Sequence, residues 1–258
     1  HGYTFEVIGV SGLRRVGVGG MLRGLLRLPS ALLQSARIVR RFRPDVVVGI
    51  GGYASGPVVL AAALLGRPTV LAEPNSVPGL ANRLLGRFAR VVCVAFESAG
   101  AAFSRGKVRM TGNPVRRGLR EGGSASRPRT DASSPSLLVM GGSQGARGLN
   151  RLVSAALVLL ARRSVPFTAT HQVGAADLDA MRARYADAGV AVLVTAFIDD
   201  VAAAYRGADL VIARAGATTL AELEVAGRPA ALWPYPFAVA DHQWHNARPL
   251  VLAGAALA

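Results

Sequence analysis

Arg214, Thr218, Thr219 and Glu222 stand together in ADLVIARAGATTLAELEVAG, residues 208–227, and their types and spacing suit the binding of a phosphorylated sugar. Asp209 to Ala213 is a short apolar run of strand character, and Arg214-Ala215-Gly216 is a tight turn. From Thr218 the apolar Leu220, Leu223, Val225 and Ala226 recur near helical spacing until Gly227 stops them. In an open α/β sheet such a turn lies at the carboxyl end of its strand, so the unpaired N–H groups of the helix's first turn face the crevice where ligands bind. A phosphate suits that position. Glu222 has two readings: with Thr219 it completes a T-x-x-E capping box, or it reaches a sugar hydroxyl as acidic residues do in nucleotide sites.

Three other stretches carry polar groups at places where an α/β protein builds its sites. GGSQGARGLN, residues 141–150, is a Gly-rich strand-to-helix turn whose N–H groups can cradle a phosphate or a sugar. Glu73-Pro74-Asn75 ends another strand, with Asn82 on the helix after it; turn chemistry accounts for the Pro and Asn equally well. Asp241-His242-Gln243 and Asn246 fall in a loop after the last strand. His, Cys and carboxylate residues form no cluster at metal-ligand spacing, and Cys93 stands alone inside the apolar run Val91 to Ala95. The expected metal content is therefore none, although a loosely held Mg²⁺ on a diphosphate is compatible with the pattern.

The elements that must position these residues alternate as strand and helix along the chain. Phe5–Val10, Val46–Ile50, Thr69–Ala72, Val91–Ala95 and Lys107–Met110 read as strands of a first unit, with a helix over Val58–Leu65 after the glycine-rich GGYASGP. Leu137–Met140, Phe167–His171, Val192–Ala196, Asp209–Ala213 and Pro229–Trp233 are the strands of a second. This is the α/β pattern of doubly wound parallel sheets. Between Gly118 and Ser136 the composition turns to Gly, Ser, Arg, Pro and Asp without apolar period, so the expected domains are 1–115 and 116–258.

Thirty basic against fifteen acidic residues, almost all of the former Arg, give a net charge of +15 and a field that attracts polyanions. Aromatic residues are scarce and not interleaved with the basic ones, which argues against nucleic acid and for a membrane surface or a phosphorylated substrate. Met21, Leu22, Leu25, Leu26 and Leu28 alternate with Arg23 and Arg27, and a second helical run carries Arg37, Arg40, Arg41 and Arg43. Such a segment is either an ordinary surface helix or one that lies in the headgroup layer of an anionic membrane. Residues 46–66 are uncharged and long enough to span a bilayer, yet Gly49, Gly51, Gly52, Ser55, Gly56 and Pro57 break the run in its middle.

Taken in order, GGYASGP (51–57), EPN (73–75) with Asn82, GNPVR (112–116), GGSQGA (141–146), FIDD (197–200), RAGATTLAE (214–222) and DHQxxNA (241–247) make the chain resemble the MurG family. These are membrane-associated glycosyltransferases that add N-acetylglucosamine to lipid I to give lipid II in peptidoglycan synthesis. The resemblance implies a GT-B architecture, two Rossmann-like domains facing across a cleft. It places the donor UDP-N-acetylglucosamine in the second domain, with Ile198 against the uracil, Glu222 on the ribose hydroxyls and Gln243 on the sugar. Arg116, Ser143, Asn150, Arg214, Ala217, Thr218 and Thr219 are the matching positions around the donor and its diphosphate, with Asn246 in the same DHQxxNA motif. Tyr53, Glu73, Asn75 and Asn82 would line the acceptor side, and Met21, Leu22, Arg23, Leu25, Leu26 and Arg27 match the membrane-docking patch. The implied partners are UDP-N-acetylglucosamine, undecaprenyl-linked muramyl-pentapeptide and an anionic membrane, at the cytoplasmic face of a bacterial inner membrane.

The chain departs from the family pattern at its ends. MurG proteins open with a strand and a GGTGGH loop followed by proline, whose His is a favoured candidate for the base; here the chain starts at His1-Gly2, which matches a later position. The catalytic base is therefore left unassigned, His1 does not take the role, and Asp241 and His242 belong to the donor side. The first domain is expected to be partial, without the opening strand and loop, and the second to stop before the final helices. Rival readings are another GT-B UDP-sugar enzyme, an epimerase or a diacylglycerol glycosyltransferase, and a non-catalytic UDP-sugar-binding membrane module.

Overall fold

Short apolar strands that pair in parallel need a helix to cross back between them, and the chain does this twice. The computed structural model describes residues 4–9, 18–121, 134–142 and 145–258, with the backbone alone for residues 18–27, 53, 54 and 239. Two units divide it between Asn113 and Pro114.

In the first unit α1 (Val18–Phe42) precedes β1 (Val47–Gly49), α2 (Gly52–Leu64), β2 (Thr69–Glu73), α3 (Leu80–Leu85), β3 (Val91–Val94), α4 (Glu97–Gly100) and β4 (Val108–Met110). The strands form one parallel sheet in the order β1-β2-β3-β4, with Val48 opposite Val70 and Leu71 opposite Val92. Val59, Leu71, Leu85, Val92 and Val94 are the core between sheet and helices.

Three expectations are corrected here. Residues 4–9 form no strand, and Val10 lies outside the described residues. The segment is tied to α1 instead: the Gly9 N–H donates to Gln34 Oε1, Gln34 Nε2 donates to the Val7 carbonyl, and Arg41 pairs with Glu6. The two Leu/Arg runs are one helix that continues through Pro29, because Ala31, Ser35 and Val39, spaced four apart, bury a single stripe. The GGYASGP segment is not a loop up to Pro57. Gly51 and Gly52, at φ 84° and 80°, turn the chain out of β1, and α2 starts at once, so Tyr53 to Pro57 form its first turns.

The second unit comprises α5 (Arg117–Glu121), β5 (Ser136–Met140), α6 (Arg147–Arg162), β6 (Thr168–Gln172), α7 (Leu178–Asp187), β7 (Leu193–Thr195), α8 (Val201–Gly207), β8 (Leu210–Ala213), α9 (Ala217–Ala226), β9 (Ala230–Leu232), α10 (His242–Leu252) and β10 (Ala256–Leu257). Its parallel sheet has the order β10-β9-β8-β5-β6-β7. The chain leaves β5 toward β6 on one side, while β8 pairs with β5 on the other, with Leu138 opposite both Thr170 and Val211. This reversal is the switch point at which doubly wound sheets open a crevice beyond the strand ends. Leu149, Val153 and Leu157 of α6 pack with Val139, Val173, Met181 and Tyr185 beneath it. Asp241 to Asn246 do not lie in a loop: α10 begins at His242. The two-residue β10 has too little sequence to carry a strand pattern.

No described helix is long and apolar enough to cross a membrane.

Candidate functional site

The turn after β8 delivers what its sequence promises, with one change. Gly216, at φ −71° and ψ 140°, is the N-cap of α9, and no side chain caps the helix. Thr219 is the third residue inside α9, so the T-x-x-E capping box does not form. Position decides this, since a cap residue must stand before the first helical turn. Ala217, Thr218 and Thr219 thus form the first turn, where backbone N–H groups and the helix dipole favour an anion. Arg214, just before it, lays its guanidinium over the Tyr235 ring at 4.7 Å, and its Nε is buried without a hydrogen-bond partner. A cation held against an aromatic face keeps its charge near the turn while its donors remain to be satisfied.

Glu222 comes one turn further along α9 and is 4% exposed. Its Oε1 lies 3.4 Å from Arg116 Nη1, and its Oε2 lies 3.4 Å from the Tyr205 hydroxyl. Burial raises its pKa above the ordinary carboxyl value, and Arg116 and the Tyr205 hydrogen bond act against that rise. Both contacts are at the long limit for hydrogen bonds, so they orient the carboxylate without filling its four acceptor positions. The same burial, reinforced by Glu222, pushes the Tyr205 phenol upward, so it remains a donor.

Across the switch point, Gly145 has φ 74°, and a Cβ there would lie 2.2 Å from the Val173 carbonyl oxygen. The turn after β5 therefore packs directly on the end of β6. Gln172 ties these loops together, its Nε2 donating to the Gly142 carbonyl at 3.0 Å and to the Ala196 carbonyl at 2.9 Å. Ala196 leads into the segment that carries the half-buried Ile198, and Asp200 closes that segment by capping α8 through the Ala203 N–H at 2.8 Å. On the other flank, Gln243 Oε1 accepts the Tyr235 N–H at 2.9 Å, which fixes the ring under Arg214.

Two positions that the resemblance puts around the donor are buried. Asn150 is fully buried and donates to the Val173 carbonyl and to Asp177 Oδ2, at 3.0 and 2.8 Å, pinning the loop after β6 to α6. Asn246 is buried within α10. Ser143 lies outside the described residues.

In the first unit Glu73 is 2% exposed, and both its oxygens are taken. Oε1 accepts from the Asn75 N–H and Nδ2 at 3.0 and 3.2 Å; Oε2 accepts from the Gly79 N–H and Asn82 Nδ2 at 3.0 and 2.9 Å. Asn82, itself buried, also donates to the Ala72 carbonyl at 3.2 Å and packs under Gly51. This cluster folds the loop between β2 and α3, which Glu73 and Asn82 hold from beneath. Asn75 is half-buried. Tyr53 is the second residue of α2, and Met21, Leu22, Arg23, Leu25, Leu26 and Arg27 lie on α1; their side chains are outside the described residues. Among described side chains, Leu28, Leu33 and Phe42 of α1, Leu64 of α2, and Leu80, Leu84 and Phe88 are exposed apolar groups of this unit.

Tyr205, Gln172 and Tyr235 were not singled out in the sequence. Tyr205 follows the helical period of α8 like a core residue, and only its hydroxyl, brought to Glu222 by the fold, distinguishes it.

Residues 1–94 match the glycosyltransferase family 28 N-terminal domain, and residues 136–258 match the glycosyltransferase family 28 C-terminal domain. The chain is 49% identical to the UDP-N-acetylglucosamine–N-acetylmuramyl-(pentapeptide) pyrophosphoryl-undecaprenol N-acetylglucosamine transferase of Myxococcus xanthus (strain DK1622), over 99% of this chain and 66% of that relative. The protein of the same description from Syntrophus aciditrophicus (strain SB) is 45% identical, over 99% of this chain and 70% of its own length. The crystal structure of Acinetobacter baumannii MurG matches with a TM-score of 0.71 and 37% identity, covering 96% of this chain and 68% of that one. The chain thus spans about two thirds of the length of the relatives it matches.

Proposed function

The chain belongs to the MurG family, within glycosyltransferase family 28, and from that membership we propose that it transfers N-acetylglucosamine from UDP-N-acetylglucosamine to undecaprenyl-linked muramyl-pentapeptide, with inversion, to form lipid II. The observation that carries the reading is 49% identity, over 99% of the chain, to a transferase of that description. The switch point of the second unit supports the donor half of this reading.

In this mechanism the diphosphate sits at the N-terminus of α9, with Arg214 beside it and Arg116 within reach of Glu222. Glu222 accepts hydrogen bonds from the ribose hydroxyls, Ile198 lies against the uracil, and Gln243 contacts the sugar. The muramyl hydroxyl oxygen attacks the anomeric carbon from the face opposite UDP. As the new C–O bond forms, the bond to the β-phosphate oxygen breaks and its electron pair leaves with UDP. Charge builds on the diphosphate, and in this reading the N-terminus of α9 and Arg214 stabilise it. No resident metal is part of this reading. The base that takes the hydroxyl's proton is assigned to none of the described residues.

The acceptor is lipid-linked, and the Leu/Arg helix α1 together with the +15 charge supports peripheral docking on an anionic cytoplasmic membrane face.

Formation of lipid II from radiolabelled UDP-N-acetylglucosamine and a lipid I analogue tests the reading. It should be measured for the chain and for a chimera that joins it to the unmatched third of the Myxococcus xanthus relative. Donor binding with no transfer by either protein would overturn it.

A further inference from the structure

We infer that Tyr205 is a positioning residue for the sugar-nucleotide site: its hydroxyl on α8 fixes one oxygen of the Glu222 carboxylate so that the other faces the ligand. The inference rests on the reading of Glu222 as the ribose contact.

Tyr205 is fully buried, and it is among the largest wholly buried side chains of the protein. α8 buries Val201, Ala202 and Tyr205 and packs on α9, so the phenol is carried within an otherwise apolar layer. A buried hydroxyl needs a partner, and here it is Glu222 Oε2. A phenylalanine would fill the same volume, so the packing itself does not call for the hydroxyl.

The two oxygens of Glu222 are held by different kinds of group. Oε2 meets a rigid, buried phenol whose proton is retained, because burial and Glu222 both raise its pKa. Oε1 meets Arg116, whose side chain is 54% exposed and long enough to swing aside for a ribose hydroxyl. The phenol therefore sets the plane of the carboxylate, and the arginine covers the oxygen to be used. α8 also links the two ends of the nucleoside. Its first turn is capped by Asp200, two residues after Ile198, and its last turn carries Tyr205. One short helix thus spaces the base-side segment from the ribose-side carboxylate.

The groups acting on Glu222's protonation are Arg116, before α5, and Tyr205, on α8. Of the other elements packed on α9, α5 carries the exposed Arg117, Arg120 and Glu121, and α10 carries the half-buried His242 and the exposed His245 and Arg248; β8 carries no titratable side chain. Loss of the phenol hydroxyl removes one of the two influences that hold the carboxyl pKa down, so Glu222 protonates at higher pH.

The test is calorimetric titration of UDP across the acid to neutral range into the chain, Tyr205→Phe and Glu222→Gln, each with a melting curve. Tyr205→Phe is expected to melt close to the unsubstituted chain, to bind UDP about five- to tenfold more weakly at neutral pH, and to lose binding at a higher pH on acidification. A Tyr205→Phe protein that matches the unsubstituted chain in affinity and acid limb, while Glu222→Gln binds poorly, overturns the role of Tyr205 alone. Glu222→Gln binding UDP normally overturns the ribose reading. If Tyr205→Phe does not fold, 3-fluorotyrosine at 205, a stronger donor of the same shape, is expected to move the acid limb to lower pH; an unmoved limb refutes the inference.

Discussion

Replacing Glu73 by alanine is expected to unfold the first unit locally while leaving the second unaffected. The carboxylate is 2% exposed and receives four hydrogen bonds, two of them from the backbone N–H groups of Asn75 and Gly79. A hydrogen bond to a charged group contributes about 1.5–3 kcal/mol, and four sharing one carboxylate are not additive. Deleting the acceptor strands buried donors in the loop between β2 and α3 and undercuts the amide that supports Gly51. The expected total cost is about 3–5 kcal/mol. Glu73→Gln should cost less, about 2 kcal/mol, since one oxygen still accepts while the new amide opposes two donors. Hydrogen exchange followed by peptide mass spectrometry reads this directly. A 3 kcal/mol loss accelerates exchange of β2 and β3 amides roughly a hundredfold through opening of that unit. Protection in β5, β6 and β8 should not change. Normal protection throughout Glu73→Ala, together with lost affinity for the lipid-linked acceptor, would refute the structural assignment and make Glu73 a ligand contact.

Gly145→Ala should lower the melting temperature of the second unit and weaken UDP binding together, because the new Cβ meets the Val173 carbonyl and the φ of 74° disfavours an L side chain; a cost of about 1–3 kcal/mol is expected, and an unchanged melting curve contradicts it. His171 is fully buried, donates or accepts at Tyr185, and burial pulls its pKa down to about 4. Its folded value lies below the unfolded 6.5, so the neutral ring's contribution is complete above pH 6.5 and is lost as pH falls toward about 4, an effect of roughly 3 kcal/mol. His171→Phe should flatten stability against pH over that window, and an unaltered slope would place the acid sensitivity elsewhere. Replacing Leu25 and Leu26 by Ser should reduce co-sedimentation with anionic vesicles, and retention at the original level would remove α1 from the docking surface.

The strand–helix alternation could be read because parallel strands buried on both faces are continuous apolar runs, as at Leu137–Met140 and Asp209–Ala213. What could not be read were decisions made by neighbours. Residues 4–9 have strand composition, but a strand exists only when paired. Pro29 invited a break that the buried stripe of Ala31, Ser35 and Val39 overrides. The site divides in the same way. Arg214 and Gly216 lie at a turn whose geometry is local, so their placement followed from sequence. Asn150, Asn246 and Glu73 stand in motifs that mark them as polar site positions, while their burial is set by packing that the motifs do not show. Tyr205, Gln172 and Tyr235 gained their roles only from elements far away in the chain.

The central claim, that a UDP-sugar binds at the β5/β8 switch point, is tested most directly by titrating UDP-N-acetylglucosamine into the ¹⁵N-labelled chain and following its amide resonances. Saturable shifts are expected to concentrate at Gly141, Gly145, Ile198 and Gly216 to Thr219, with the β1–β4 sheet unmoved by the donor. Shifts confined to the first unit, or none at saturating donor, would contradict it.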